Sequence, residues 1–203
     1  MSALLEKLGV PRNVRLFFKP YFSIQCDGSL LFRFGDEFEH FGIGLHRVPT
    51  AIHPWIAGDG PLLFYGFSAM EAIAFLSLNH QRFPDLRSLR FVATGNFLAK
   101  PPIFPFQKCS LLFGNDLTGR LTDIRYSLYL KHKIGTLAYQ AGKVRFALSA
   151  TTFMLAEYSV SLYAFEKAAG LRSGIRTYKP PQPYDTFLQQ IIQRYENDPL
   201  PSL

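Results

Sequence analysis

Cysteine, acidic residues and long apolar runs are all scarce in this chain, and each scarcity narrows what it can be. The two cysteines, Cys26 and Cys109, lie far apart, and neither stands in a metal-ligand spacing. Both adjoin apolar runs and read as buried free thiols, which suits a reducing, cytoplasmic compartment. No stretch reaches the roughly 18 apolar residues of a membrane span, and residues 1–7 turn polar too early for a signal peptide. No membrane partner is expected.

The 15 Asp and Glu are outnumbered by 22 Lys and Arg, a formal net charge of +7 with an isoelectric point near 9.5. A basic balance suits a polyanion, nucleic acid first and an anionic membrane surface second. The cations are scattered with no long basic run, so a soluble protein that happens to be basic is the plain alternative. Also missing are a phosphate-binding Walker loop, a dinucleotide fingerprint and a nucleophile elbow. His40, His46, His53, His80 and His132 show no close metal spacing and default to surface or turn roles.

What is present is a globular composition, 48% apolar and 18% charged, in a chain long enough for one well-buried core or a domain with an added lobe. The 20 Phe and 10 Tyr serve core, interface or base stacking equally well. Residues 1–58 are rich in Phe, Gly and turns and read as a β-rich N-terminal lobe. In it, Ser29 to Phe34 forms a strand after the Cys26-Asp27-Gly28 turn, Phe38 to Val48 supplies another, and Gly58-Asp59-Gly60-Pro61 punctuates the end.

Residues 59–203 read as one α/β domain. Leu62 to Tyr65 is a short buried strand. Ser68 and Glu71 form a capping-box pattern, and Met70, Ile73, Ala74 and Leu78 follow at helical spacing until Pro84. Leu89 to Ala93 is a second strand, closed by Thr94-Gly95-Asn96. After a proline-rich loop at 101–105, a third apolar strand runs out at Gly114-Asn115-Asp116, and a helix is predicted from Thr118 to about His132. Short apolar strands between helices imply parallel pairing through right-handed crossovers. In such sheets, sites gather outside the carboxyl ends of the strands, where Tyr65-Gly66-Phe67, Thr94-Gly95-Asn96 and Gly114-Asn115-Asp116 all fall. Further on come a hairpin insertion near 143–156, a helix from Ser161 to Ala169 capped at Gly170, a strand from Ile175 to Tyr178, a stiff proline-rich connection and a last helix from Tyr184. The expected fold is α/β, a mostly parallel central sheet with flanking helices and a β-rich extension.

Two carboxylates at i and i+2 on a strand end point the same way and can hold Mg²⁺ through hard oxygens. In Gly114-Asn115-Asp116 the first of those positions is glycine. With this motif, the order of pieces resembles a toprim domain, the Rossmann-like fold shared by bacterial primases, topoisomerases, some nucleases and toprim-like proteins of mobile elements. The family's first motif is a strand ending in Glu, then a small residue, an Asp and an apolar helix. Phe67 stands in the register of that Glu and Glu71 in that of the Asp; a shift of one residue puts Gly66 there, which is no acid either. The second motif, Asp-x-Asp followed by Gly and a basic residue, is matched by Gly114-Asn115-Asp116 with Gly119 and Arg120 behind it. A closing acidic motif is matched by Tyr184-Asp185-Thr186-Phe187-Leu188, with Asp185 as its last acid. The resemblance covers roughly residues 61–133 and 175–192.

In intact members the Glu is thought to act as acid or base and the aspartates to hold Mg²⁺ at the phosphodiester. The resemblance therefore implies a vestigial site at Phe67, Glu71, Gly114, Asp116 and Asp185, with Asp116 the one residual metal ligand and no cofactor unless Mg²⁺ returns through other acids. It implies a catalytically impaired protein that binds nucleic acid or serves replication or mobilisation proteins of a mobile element. An active Mg²⁺-dependent nuclease or nucleotidyl transferase, and a protein-interaction module with an aromatic surface, stand beside it. The plainer readings are that Asp116 caps the next helix, that Glu71 completes its own capping box, that Asp185 favours a helix N-terminus, and that Gly95 and Gly114 permit tight turns. For a phosphate backbone the candidate cations are Arg120, Arg125, Lys131 and Lys133 on or after the motif helix, and Arg172, Arg176 and Lys179 near the last strand.

Overall fold

The computed structural model describes residues 2–50, 53–96, 102–104, 108–148 and 151–197. Two short helices, α1 (Ala3–Lys7) and α2 (Arg12–Phe18), open the chain. An antiparallel meander comes next, made of β1 (Ser23–Ile24), β2 (Leu30–Phe34), β3 (Glu37–Gly42) and β4 (Leu45–Arg47). Along β2 the side chains alternate, so that Leu30, Phe32 and Phe34 are buried while Arg33 faces out. These residues, with Val14 and Phe18, join the same apolar core as Phe64, Phe75 and Phe91. The N-terminal 58 residues thus share one core with the α/β portion of the chain. The next strand, β5 (Trp55–Ala57), leaves the meander and pairs with the central sheet.

That sheet is built from β6 (Leu62–Gly66), the helix α3 (Ala69–Asn79), β7 (Leu89–Ala93) and β8 (Lys108–Leu111), with α4 (Leu117–Leu130) after it. A three-stranded antiparallel sheet is formed by β9 (Gly135–Gln140), β10 (Lys143–Leu148) and β11 (Thr151–Ala156). The last elements are α5 (Leu162–Ala169), β12 (Arg176–Thr177) and α6 (Phe187–Asn197). The central order is β12-β8-β6-β7-β5, with β6 parallel to both β7 and β8, β12 parallel to β8, and β5 antiparallel at the edge.

The protein is therefore α/β with mixed sheets. Across its three sheets, six strand pairings are antiparallel and three parallel, so the expected parallel character is confined to the central sheet, where it runs from the β12 edge through β8 and β6 to β7. There β7 lies on one side of β6 and β8 on the other. The chain reverses its direction of build at β6, which opens a crevice at the carboxyl ends of β6 and β8. Among the described residues, no helix is long and apolar enough to cross a membrane.

Four expectations shift in detail. The third strand leaves the sheet at Leu111, three residues before Gly114. The last helix begins at Phe187, because Thr186 and Gln189 provide its cap: Gln189 N–H donates to Thr186 Oγ1 at 3.0 Å, and the Gln189 amide oxygen accepts from Asp185 N–H at 2.8 Å. The hairpin insertion gains a strand, β9, joined to β10 by Ala141 (φ +49°) and Gly142 (φ +73°). Both central residues of that tight turn are left-handed, the signature of a hairpin turn matched to strand twist. The other expected turn, at Ala150-Thr151-Thr152, lies partly outside the described residues. Of the two thiols, both free, Cys109 is partly buried but Cys26 is exposed, because its turn lies at the rim of the meander and beyond the core.

Helix α3 is the hub. Residues 69 to 77 are all buried, as expected for a helix covered on every side. Its free N-terminal amides are satisfied from two directions. Ser68 Oγ accepts from Glu71 N–H at 3.0 Å, and the fully buried Glu39 carboxylate of β3 accepts from Ala69 N–H at 2.7 Å and Met70 N–H at 3.1 Å. His46 Nε2 of β4 stands 3.0 Å from the same carboxylate. Removing Glu39 orphans two buried amides as well as His46. Glu39→Ala is expected to cost about 2–4 kcal/mol in denaturant unfolding; a loss below about 0.5 kcal/mol contradicts the capping role.

Candidate functional site

The crevice between β6 and β8 is filled by aromatic rings. Phe67, just past β6, is half-buried and meets Phe113 edge-on with ring centres 4.6 Å apart. Phe113 lies 4.6 Å from Tyr126 of α4, and Tyr126 lies 5.9 Å from Tyr65 of β6. The Tyr65 hydroxyl donates to the Pro102 carbonyl. Burial pushes the Tyr126 hydroxyl up to about 12, so it stays protonated across the physiological range. Rings in this arrangement exclude water and supply neither a metal ligand nor a proton acceptor at neutral pH.

Gly114 has close neighbours where a side chain would have to stand. A Cβ there would press to 2.8 Å from Asp116 Oδ1 and 3.2 Å from the Asp185 carbonyl oxygen. Asn115 N–H donates to that same carbonyl at 2.7 Å, which ties the strand end to the start of α6. Gly119 is just as constrained, because a Cβ on it would overlap the Gly114 carbonyl. The Gly-Asn-Asp turn and the first turn of α4 therefore lie directly against each other.

The centre of the arrangement is Lys179. Its ammonium lies 2.6 Å from the Phe113 carbonyl oxygen, 2.7 Å from that of Gly114 and 2.6 Å from Asp123 Oδ2. All three N–H donors of the ammonium are thus used on hard oxygens at the carboxyl end of β8. Asp123, on the inner face of α4, is 1% exposed, and its Oδ1 has no hydrogen-bond partner among the described residues. Burial pushes the Asp123 carboxyl up to about 7 against the pull of Lys179. Burial likewise draws Lys179 below the ordinary lysine value, with Asp123 opposing. Each half favours the charged form of the other, against the burial that opposes it.

The acids of the expected site are spread over different tasks. Asp116 is the N-cap of α4, its Oδ1 accepting from Gly119 N–H at 3.0 Å, which is the capping role. Glu71 departs from the capping box: its carboxylate accepts from Phe187 N–H at 2.7 Å and Leu188 N–H at 3.0 Å, the first amides of α6. The reason is geometric, since the buried face of α3 that carries Glu71 is the face on which α6 packs. Burial pushes the Glu71 carboxyl up to about 7, against those two amides. Asp185 is exposed and takes part through its carbonyl and N–H. Phe67, Gly114, Asp116 and Asp185 do converge at one end of the sheet; Glu71 looks away from it. Among the described residues no group of three or more His, Cys, Asp or Glu is placed to hold a metal ion.

The candidate cations divide similarly. Lys179 is internal. Arg120 is half-buried and donates to the carbonyls of Val160 (3.2 Å), Asp116 (3.3 Å) and Tyr158 (3.4 Å), clamping α4 to the connection before α5. Lys131, Lys133 and Arg172 are exposed and line one cavity of about 160 Å³ together with Glu166 and Ser173. Arg125 is exposed and lines a neighbouring cavity of about 300 Å³. Arg176, also exposed, donates to the Tyr178 hydroxyl at 3.2 Å. The residues missed in sequence were Asp123 and Glu39. The one available signal for Asp123 was an acid between Thr122 and Ile124, on the apolar side of a predicted helix.

No family model, curated protein or solved structure matches this chain.

The geometry generates two expected outcomes. In a double-mutant cycle, Lys179→Met alone should cost about 3–5 kcal/mol by stranding Asp123, while adding Asp123→Asn should return a large part of it; additive losses contradict the pairing. For Glu71, the folded chain keeps its proton up to about 7, against 4.5 for the ordinary group. Stability from this group is therefore present at acid pH and lost as pH rises through about 7. The difference in Tm between the protein and Glu71→Gln should accordingly move against the native residue between about pH 5 and pH 8. A difference that is flat with pH contradicts the burial argument.

Proposed function

We propose that this chain is a nucleic-acid-binding α/β protein without phosphodiester chemistry of its own. More narrowly, it is read as a catalytically impaired relative of the toprim domain, an accessory to replication or mobilisation proteins of a mobile element. Support for the narrower reading comes from the β6 and β8 strand ends, where Phe67 packs on Phe113, the residue before the Gly114 turn that Asp116 lies against. That is the place the resemblance assigns to the acids. Both free cysteines are in keeping with a reducing, cytoplasmic setting.

The observation that carries the reading is the Lys179 ammonium, seated on the Phe113 and Gly114 carbonyls and on Asp123. A divalent ion at this strand end would be bound by several hard oxygens, some of them carboxylate. Here a fixed monovalent cation takes up the carbonyls, and Asp116 is turned to its helix cap. General acid–base help alone is worth about 10²–10⁴ in rate, and Phe67 offers none of it. No Mg²⁺ or other cofactor enters this reading.

The positive charge supports the broader statement. From Leu117 to Arg176 there are nine Lys and Arg against three Asp and Glu, most of the chain's +7. Binding to labelled DNA should be unaffected by chelator and should weaken by roughly tenfold or more as salt rises from about 50 to 200 mM. Mg²⁺-dependent cleavage or primer extension abolished by Asp116→Ala would falsify the impaired-site reading in favour of an active nuclease or nucleotidyl transferase. No binding even at low salt would favour a protein-interaction module instead.

A further inference from the structure

We propose that the outer face of the β9–β10–β11 sheet is the surface that docks the nucleic acid, and that its ligand is B-form duplex DNA. The inference rests on the nucleic-acid reading above and adds the place and the form of the ligand. The strand register sorts this sheet into two faces. On β10, Val144, Phe146 and Leu148 are buried in a cluster with Ile124 of α4 and Phe165 of α5. Their neighbours Lys143 and Arg145 point the other way and are exposed.

Register extends that outer face across all three strands. Arg145 sits between Ala138 of β9 and Met154 of β11, and Lys143 between Gln140 and Ala156. Residues 136 and 152 flank Ala147 in the same way. None of these nine positions is acidic and none is aromatic, and neither Lys143 nor Arg145 is in an ion pair among the described residues. The face is thus a surface of mostly small residues with two free cations along its centre line, on the stretch that holds most of the chain's net charge.

Three properties choose the occupant. Two cations with no acid among the nine positions complement a polyanion and repel a basic surface; Glu157, the next residue after Ala156, is taken up by the Tyr139 hydroxyl at 2.6 Å. A face without rings lacks the stacking platform by which single strands are held; the exposed rings of Tyr139, Tyr158 and Tyr163 lie outside it. Two inter-strand spacings put the edge-strand axes about 10 Å apart, comparable to a B-DNA major groove of about 12 Å, and Thr136, Ala138, Thr152 and Ala156 keep most of the margins short beside the longer Gln140 and Met154. The major groove of an A-form RNA duplex is too deep and narrow for this.

The test measures fluorescence anisotropy with a labelled DNA duplex of about two helical turns, its single strand and the RNA duplex of the same sequence. The native protein should bind the DNA duplex most tightly. Lys143→Glu with Arg145→Glu should weaken that binding by at least about tenfold with an unchanged melting temperature, since both side chains are solvent-facing. Lys143→Gln with Arg145→Gln should lower the slope of log K against log salt by about 2. Native binding that survives both pairs of substitutions, but is lost in Lys131→Glu with Lys133→Glu, overturns this face and leaves the nucleic-acid reading standing. Tighter binding of the single strand or the RNA duplex overturns the docking mode. Absence of binding to all three probes overturns the face and the reading together.

Discussion

One ammonium group holds the carboxyl end of the central sheet in place. Lys179 reaches back from the segment after β12 and bonds the last carbonyls of the β8 extension and the buried Asp123 of α4. Strand end, neighbouring helix and closing segment meet at that atom, and the aromatic rings of Phe67, Phe113 and Tyr126 close the remaining space. Burying a charged pair is costly, and the net gain over an apolar substitute is small. What the pair supplies is position: three elements far apart in sequence are set by one short, directional constellation.

The carboxylates nearby extend the same logic. Glu39 caps α3, Glu71 caps α6 from its seat on α3, and Asp116 caps α4. Each acid lies against the positive end of a helix, where its oxygens accept from the otherwise unpaired amides. The consequence for function is direct for Glu39 and Glu71, because acids committed to backbone amides in the core have few lone pairs left for a metal or a substrate. The sheet end is organised as a structural joint, while the exposed charge sits elsewhere, on the lobe formed by α4, β9, β10, β11 and α5.

Local signals were legible in the sequence and long-range partners were not. The caps at Ser68, Asp116 and Gly170 depend on residues within one turn and appear where the pattern placed them. The strands β6 and β7 and the position of the crevice came from short apolar runs closed by Gly and Asn. Glu71 misled because its helical spacing fits a capping box, whereas its partner amides at Phe187 and Leu188 are distant in the chain. Lys179 read as a surface cation beside prolines, and only the fold brings Asp123 to it. The strand β9 escaped because Thr136 to Gln140 lacks a strong apolar alternation. Its turn, Ala141-Gly142, needs a left-handed alanine, which few sequence patterns suggest.

A fixed ammonium takes up the carbonyl oxygens at this strand end, and on that contact the reading of the whole site depends. The most direct measurement is a Mn²⁺ titration of the isotopically labelled protein that tracks paramagnetic broadening of backbone amide resonances. No localised broadening is expected around residues 113–119 or Lys179 at Mn²⁺ concentrations that saturate ordinary metal-dependent nucleic-acid enzymes. Selective broadening centred on Gly114 and Asp116, reversed by excess Mg²⁺, would contradict it.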